Sequence, residues 1–208
     1  MIPFTPSTPS DWIEVGSRIP LLWLSELYYT MGSQQPAVMS TTNILVYLLR
    51  KDLRVSDNPI LHHLATTPDH GFTHLLPVYV FPSHQIETSG FIRDGKSRNP
   101  YPEARSAVAG YRRCGPYRAK FIAEAVWDLK QSYEKLGVGM LIRTGMYQDA
   151  VRDLIRGVQD RQGKVGALWM TSEEGAEEKH DEKVLATLCR EHEVNFRLWE
   201  DEKYLIDE

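Results

Sequence analysis

Five short apolar runs, each separated from the next by a stretch of helical spacing, constrain this chain more than any other feature. The runs are Ile44–Leu49, His74–Phe81, Gly139–Arg143, Val165–Met170 and Val194–Trp199. The first is continuously apolar, as a strand covered on both faces must be. Between the runs, Asn58-Pro59 has the form of an N-cap followed by proline at the first helical position, with Ile60, Leu61 and Leu64 on one side. Tyr117 to Leu136 is the clearest helix, with Phe121, Ile122, Ala125, Val126, Leu129 and Tyr133 at helical spacing and Gly137 placed to end it. Gln148–Val158 and Ala176–His192 carry the same periodicity.

Strand and helix in alternation imply parallel pairing through right-handed crossovers. The expected product is an α/β, doubly wound, five-stranded parallel sheet with helices on both faces. Such sheets bind ligands outside the carboxyl ends of their strands, near the point where the winding reverses. That rule directs attention to the turns after Leu49, Phe81, Arg143 and Met170.

Residues 1–42 read differently. They are rich in Pro, Ser and Thr, and their one apolar stretch, Ile19 to Met31, lacks the basic start and cleavage pattern of a secretory signal. They are expected to be an extension unrelated to the α/β domain or disordered, and a natural start at Met39 would account for the break in composition. The domain itself is expected over residues 43–206.

Charge excludes some functions. The formal net charge is -4, whereas a module built to hold duplex DNA carries a basic surplus. Basic residues nevertheless concentrate between Arg93 and Lys120, a stretch that overlaps the end of a long polar connection from Pro82 to Pro116 and the start of the helix after it. A connection of that length in a compact domain implies a function or a partner. Cys114 and Cys189 have no metal or redox spacing and are expected as free thiols in a reducing, intracellular compartment. No apolar run reaches membrane-spanning length.

Two nucleotide motifs fail on context. Gly90-Phe-Ile-Arg-Asp-Gly95-Lys96-Ser97 matches a P-loop in form, but the preceding run ends near Phe81, and Pro100 and Pro102 block a helix directly after it. A nucleotide hydrolase is therefore the weakest of the readings. No Gly-x-Gly-x-x-Gly follows the first run, where Arg50-Lys51-Asp52 stands instead, so a nicotinamide dinucleotide site is rejected.

Several separated segments together resemble one family. Arg50-Lys-Asp-Leu-Arg54 followed by Asp57-Asn58-Pro59, the run Leu75–Phe81, Cys114-Gly-Pro-Tyr-Arg118-Ala-Lys-Phe121 leading into Trp127-Asp-Leu129, Gly145, and Trp169-Met-Thr-Ser-Glu-Glu174 resemble, in order and spacing, the N-terminal α/β domain of DNA photolyases and cryptochromes, most closely the DASH type. The departure is Tyr47-Leu48-Leu49, where the family usually has an aromatic residue before Arg50. The resemblance implies a Rossmann-like domain that helps hold an antenna pigment, often methenyltetrahydrofolate, in proteins that perform blue-light repair of pyrimidine dimers or photoreception. It implies Glu177 as the first candidate for a folate contact, Glu174 as the second, and Asp52 at the pocket rim. It also implies a helical FAD-binding domain, in cis or in trans, that carries the catalytic flavin and reaches DNA. That domain falls outside these 208 residues, so no catalytic activity is expected of the chain alone. An interaction module, or a truncated gene model, are the alternatives that the sequence leaves open.

Overall fold

A computed structural model describes residues 42–67, 69–91, 97–106 and 109–201. The expected extension, and with it Met39, lies outside the described residues.

The elements follow in the order β1 (Asn43–Leu49), α1 (Pro59–Thr66), β2 (His74–Pro82), α2 (Pro116–Lys135), β3 (Leu141–Gly145), α3 (Tyr147–Gln159), β4 (Lys164–Thr171), α4 (Ala176–Glu191) and β5 (Asn195–Trp199). All four strand pairings are parallel, and the sheet order is β3-β2-β1-β4-β5. The doubly wound Rossmann-like sheet expected from the sequence is therefore present. The winding reverses between β1 and β4.

Alternation along β1 assigns its side chains to two cores. Ile44, Val46 and Leu48 meet Tyr147, Val151, Leu154 and Ile155 of α3 and Leu185, Leu188 and Cys189 of α4. Leu45, Tyr47 and Leu49 meet Ile60 of α1 and Val126, Leu129 and Tyr133 of α2. Because strand side chains alternate at a period of two, each core receives every second residue. Helix α1 begins as predicted: the Asn58 side-chain oxygen accepts from the Ile60 and Leu61 N–H groups, and Pro59 needs no donor there. Both cysteines are free and buried. Among the described residues, no helix is long and apolar enough to cross a membrane.

Two expectations need correction. The third strand does not end at Arg143: Arg143, Thr144 and Gly145 pair with Val80, Phe81 and Pro82, so the ladder runs on to Gly145. Phe121 does not join the inward stripe of α2. It is 71% exposed, while Val126, Leu129 and Tyr133 turn inward, since the sheet accommodates one face of the helix only. On α1, the His63 ring packs 4.8 Å from Trp199 and 5.6 Å from Trp169.

The P-loop match has no strand–loop–helix frame. β2 ends at Pro82, Ser89–Phe91 form a single 3-10 turn, and among the described residues the next α-helix begins at Pro116. The centre of the motif lies outside the described residues.

Candidate functional site

The turn after β1 stands at the winding reversal, and its polar groups are buried. Arg50 continues the alternation of β1, so its side chain enters the α3/α4 side. There it donates to the Thr171 carbonyl at the end of β4 and, at 2.7 Å, to the Glu182 carboxylate on α4. Glu182 also accepts from the Glu173 N–H at 2.9 Å. One arginine and one glutamate thus join the ends of β1 and β4 to α4. Each is at most 6% exposed, and a buried pair of this kind fixes geometry more surely than it adds stability.

Asp52 lies one residue beyond the exposed Lys51 and turns inward on the opposite side. Its carboxylate accepts from the Tyr47 hydroxyl and, at 2.9 Å, from the Arg50 N–H. The Asn58 amide donates to the Tyr47 oxygen at 2.6 Å. Burial, followed by the charge of Asp52, raises the Tyr47 phenol far above its ordinary range, so it remains a donor. Tyr47, where the family pattern departs, therefore has a specific use: it anchors the turn through Asp52.

The carboxylates that open α4 are more open to water. Glu174 and Glu177 are exposed, and Glu178 is half-buried. Lys51 reaches Glu173 at 3.0 Å and Glu178 at 3.2 Å. Burial alone would raise the Glu178 carboxyl, but its own backbone N–H and Lys51 outweigh that and hold it below the usual range. Glu177 pairs with Arg113, so the end of the long connection is tied to α4. The connection is tied elsewhere too. The Tyr101 ring lies against Gly145, whose φ of +131° and lack of a side chain permit the approach. Asn99 bonds Thr88 and Glu87. Through Tyr101 and Arg113, described residues of the long polar connection reach the carboxyl edge of the sheet.

The structure places Asp52, Glu174 and Glu177 all at this edge. It distinguishes them: Asp52 is engaged internally, Glu177 is half-exposed against Arg113, and Glu174 is exposed with Lys179 at 3.9 Å. Sequence reasoning did not find Arg50, Glu182, His84 or Asp181. His84 follows β2, and its Nε2 lies 3.5 Å from the Asp181 carboxylate on α4. A signal for Asp181 existed: with Leu185 and Leu188 it occupies the inward phase of α4, where a charged residue is out of place unless it has a partner.

The same edge holds buried polar atoms that have no hydrogen-bond partner among the described residues. They include Arg50 Nε and Nη1, His84 Nδ1, Thr144 Oγ1 and Thr171 Oγ1. All belong to strand ends or to the turns after them. Buried polar groups in native proteins are nearly always satisfied, and enclosed atoms of this kind are the positions that ordered water completes. Among the described residues, no group of His, Cys, Asp and Glu has the geometry to hold a metal. A separate open groove of about 450 Å³ between α3 and α4, lined by Gln148, Arg152, His180 and Lys183 among others, includes none of the three predicted site residues.

Comparison with known proteins agrees with this edge-on α/β plan. The DNA photolyase family model matches residues 45–207. A Neurospora crassa protein, named as a candidate mitochondrial cryptochrome DASH, is 53% identical over 169 residues, covering 81% of this chain and 23% of its own. A candidate cryptochrome DASH of Gibberella zeae is 52% identical over 170 residues, covering 82% and 24%. The chain therefore spans about a quarter of the length of these curated relatives. Among solved structures, an archaeal photolyase of Sulfolobus tokodaii, crystallised with two FAD molecules, superposes with a TM-score of 0.53 at 18% identity, over 76% of this chain and 29% of that one. At that identity the likeness speaks for the fold alone. Five parallel strands in the order β3-β2-β1-β4-β5, the Arg50–Asp52 turn at their winding reversal and the match over residues 45–207 place the chain in the DNA photolyase family, as an N-terminal α/β domain of the cryptochrome DASH kind.

Proposed function

We propose that this chain is the antenna half of a photolyase or cryptochrome: it holds a light-harvesting pigment at the carboxyl edge of its sheet and passes excitation to a flavin carried by a helical domain. The observation that carries the reading is the set of buried, directed polar bonds where β1 and β4 end, beside the acidic opening of α4. Methenyltetrahydrofolate is the pigment of choice. In this reading Glu177 and Glu174 accept paired N–H bonds from the pteridine rim. Asp52 acts one step back, holding the turn that forms the pocket rim. Arg113 lies next to Glu177 and supplies positive charge for an anionic tail. Catalysis belongs to the flavin domain, so the chain alone performs no repair, and DNA is reached through the complete assembly.

The test is a fusion in which residues 43–206 replace the matched region of the Neurospora relative. After incubation with methenyltetrahydrofolate and gel filtration, the fusion is expected to retain a near-ultraviolet absorbance band. Glu177→Gln should weaken retention about ten-fold, the size of a lost hydrogen bond to a charged group. A flavin-loaded fusion that elutes with no folate band would overturn the folate reading. The Sulfolobus structure, with its two FAD molecules, makes FAD the informative competitor. Retention of a second flavin equivalent in place of folate would reassign the pigment but keep the edge.

A further inference from the structure

The sheet face that carries Tyr47 holds a line of readily oxidised rings. Trp199 ends β5, and its ring centroid lies 5.1 Å from that of Trp169 on β4. Trp169 is in turn the register partner of Tyr47 on β1, one strand spacing or about 4.8 Å away along the sheet. Trp169 and Tyr47 are buried in the same core, and Trp199 packs against it. The line therefore runs from a half-buried indole on the edge strand to a phenol with no measurable exposure.

Opposite charges stand at its two ends. The Arg197 guanidinium sits 3.7 Å from the Trp199 ring centroid and 5.4 Å from that of Trp169. Positive charge over an aromatic face opposes loss of an electron from that ring, most strongly from the nearer one. At the inner end the Tyr47 hydroxyl donates to the Asp52 carboxylate, and the Asn58 amide donates to the phenol oxygen. A tyrosine gives up an electron readily only when its proton can leave in the same event, and a carboxylate within hydrogen-bond reach is the acceptor for it. The same core contains the contrast: Tyr133 is also buried, but among the described residues its hydroxyl has no hydrogen-bond partner.

We infer that Trp199, Trp169 and Tyr47 form an inward path for oxidising equivalents that ends at the Tyr47–Asp52 pair, so that the domain stores a one-electron vacancy as a buried tyrosyl radical. The co-reactant is a one-electron oxidant that reaches the edge strand β5. It takes one electron from the Trp199 indole and is itself reduced by one. Trp169 refills Trp199, and Tyr47 refills Trp169. As Tyr47 gives up its electron, its O–H bond breaks and the proton passes to Asp52, leaving a neutral phenoxyl radical beside a carboxylic acid. Both indoles end as they began. An electron returned by a reductant draws the proton back from Asp52 and restores the pair. The path uses no pigment, so it is independent of the antenna reading.

Flash oxidation of the 208-residue chain tests the inference. The oxidant is photogenerated tris(bipyridine)ruthenium(III), and the readouts are transient absorption and freeze-quenched electron paramagnetic resonance. A tryptophan radical is expected first, giving way to a tyrosyl radical that persists, since a buried radical cannot couple with a second chain. Tyr47→Phe should remove the persistent tyrosyl signal and prolong the tryptophan radical about ten-fold or more, the rate equivalent of losing one hydrogen bond to a charged group. Asp52→Asn keeps the phenol but removes the base, and should slow tyrosyl formation to a similar degree; a bond that is only structural would leave the radical unchanged in this variant. Tyr133→Phe should change nothing. Circular dichroism checks that each variant is folded. Should Asp52→Asn unfold, the solvent isotope effect on the parent chain replaces it: tyrosyl formation is expected to be slower in heavy water, and an equal rate would overturn the proposal. Absence of a persistent tyrosyl radical in the parent chain would overturn it too, as would a signal that survives Tyr47→Phe or is lost in Tyr133→Phe instead.

Discussion

The strand β1 and three polar residues of the turn that follows it, Arg50, Asp52 and Asn58, are all buried but held on opposite principles. Leu45 to Leu49 have no measurable exposure, and apart from the Tyr47 hydroxyl they are held by packing. Arg50, Asp52 and Asn58 are 2–6% exposed and are held by directed bonds to Glu182, Thr171 and Tyr47. Burying apolar side chains stabilises whatever the neighbours are, provided they fill space. Burying polar ones costs free energy unless each bond is made, and yields a single geometry. The strand therefore supports the fold, and the turn defines the site.

The largest expected effect falls in the strand. Leu48→Ala should destabilise the domain by about 3 kcal/mol, as loss of a fully buried leucine does. Urea unfolding followed by circular dichroism checks it, and an effect under about 1 kcal/mol would mean that the core is not close-packed there. Removing one partner in the turn should cost about as much, because Glu182→Ala leaves the Arg50 charge buried and alone. The double substitution Arg50→Met, Glu182→Leu sharpens the contrast. It should recover most of that stability, by the same unfolding measurement, while abolishing pigment retention in the fusion. If it retains pigment normally, the turn is structural and the comparison fails.

Smaller effects follow. Tyr47→Phe should cost about 1 kcal/mol, the net worth of the bond to Asp52, with little change in overall fold. Near-ultraviolet circular dichroism and urea midpoints read both. Cys189 should be inert: burial pushes its thiol up to about 12, so almost no thiolate exists at neutral pH. Ellman's reagent is expected to modify it only on unfolding, and rapid native-state modification would show that α4 opens.

The smallest effect concerns pH. Backbone N–H donation from Ser89 holds the Glu87 carboxyl below its ordinary value, though burial opposes this. Its contribution is present above the ordinary carboxylate range and is lost as pH falls through the lowered value. Glu87→Gln should therefore flatten the acid limb of stability slightly, as read by thermal melts in the acid range.

How much of this was visible in the sequence follows the same division. Apolar periodicity lies within single segments, so the five strands, the Asn58 cap and the inward faces of α3 and α4 were legible. The Arg50–Glu182 bond joins residues far apart in the chain, and no local pattern announces it. Glu174 and Glu177 could be assigned to the carboxyl edge because a helix opening after a strand in such a fold must lie there. Which of them faces the turn, and that Glu177 pairs with Arg113, depended on the path of the long connection. Phe121 misled because α2 has apolar residues on two faces, and spacing alone does not say which face meets the sheet.

The central claim, that the carboxyl edge of the sheet is the pigment site, is tested most directly by amide chemical-shift mapping of the ¹⁵N-labelled chain during titration with methenyltetrahydrofolate. The account predicts shifts confined to Arg50–Asp52, His84, Thr171 and Glu173–Glu178. Shifts at the amino edge, around Thr42, Thr73 and Lys164, with none at the start of α4, would contradict it.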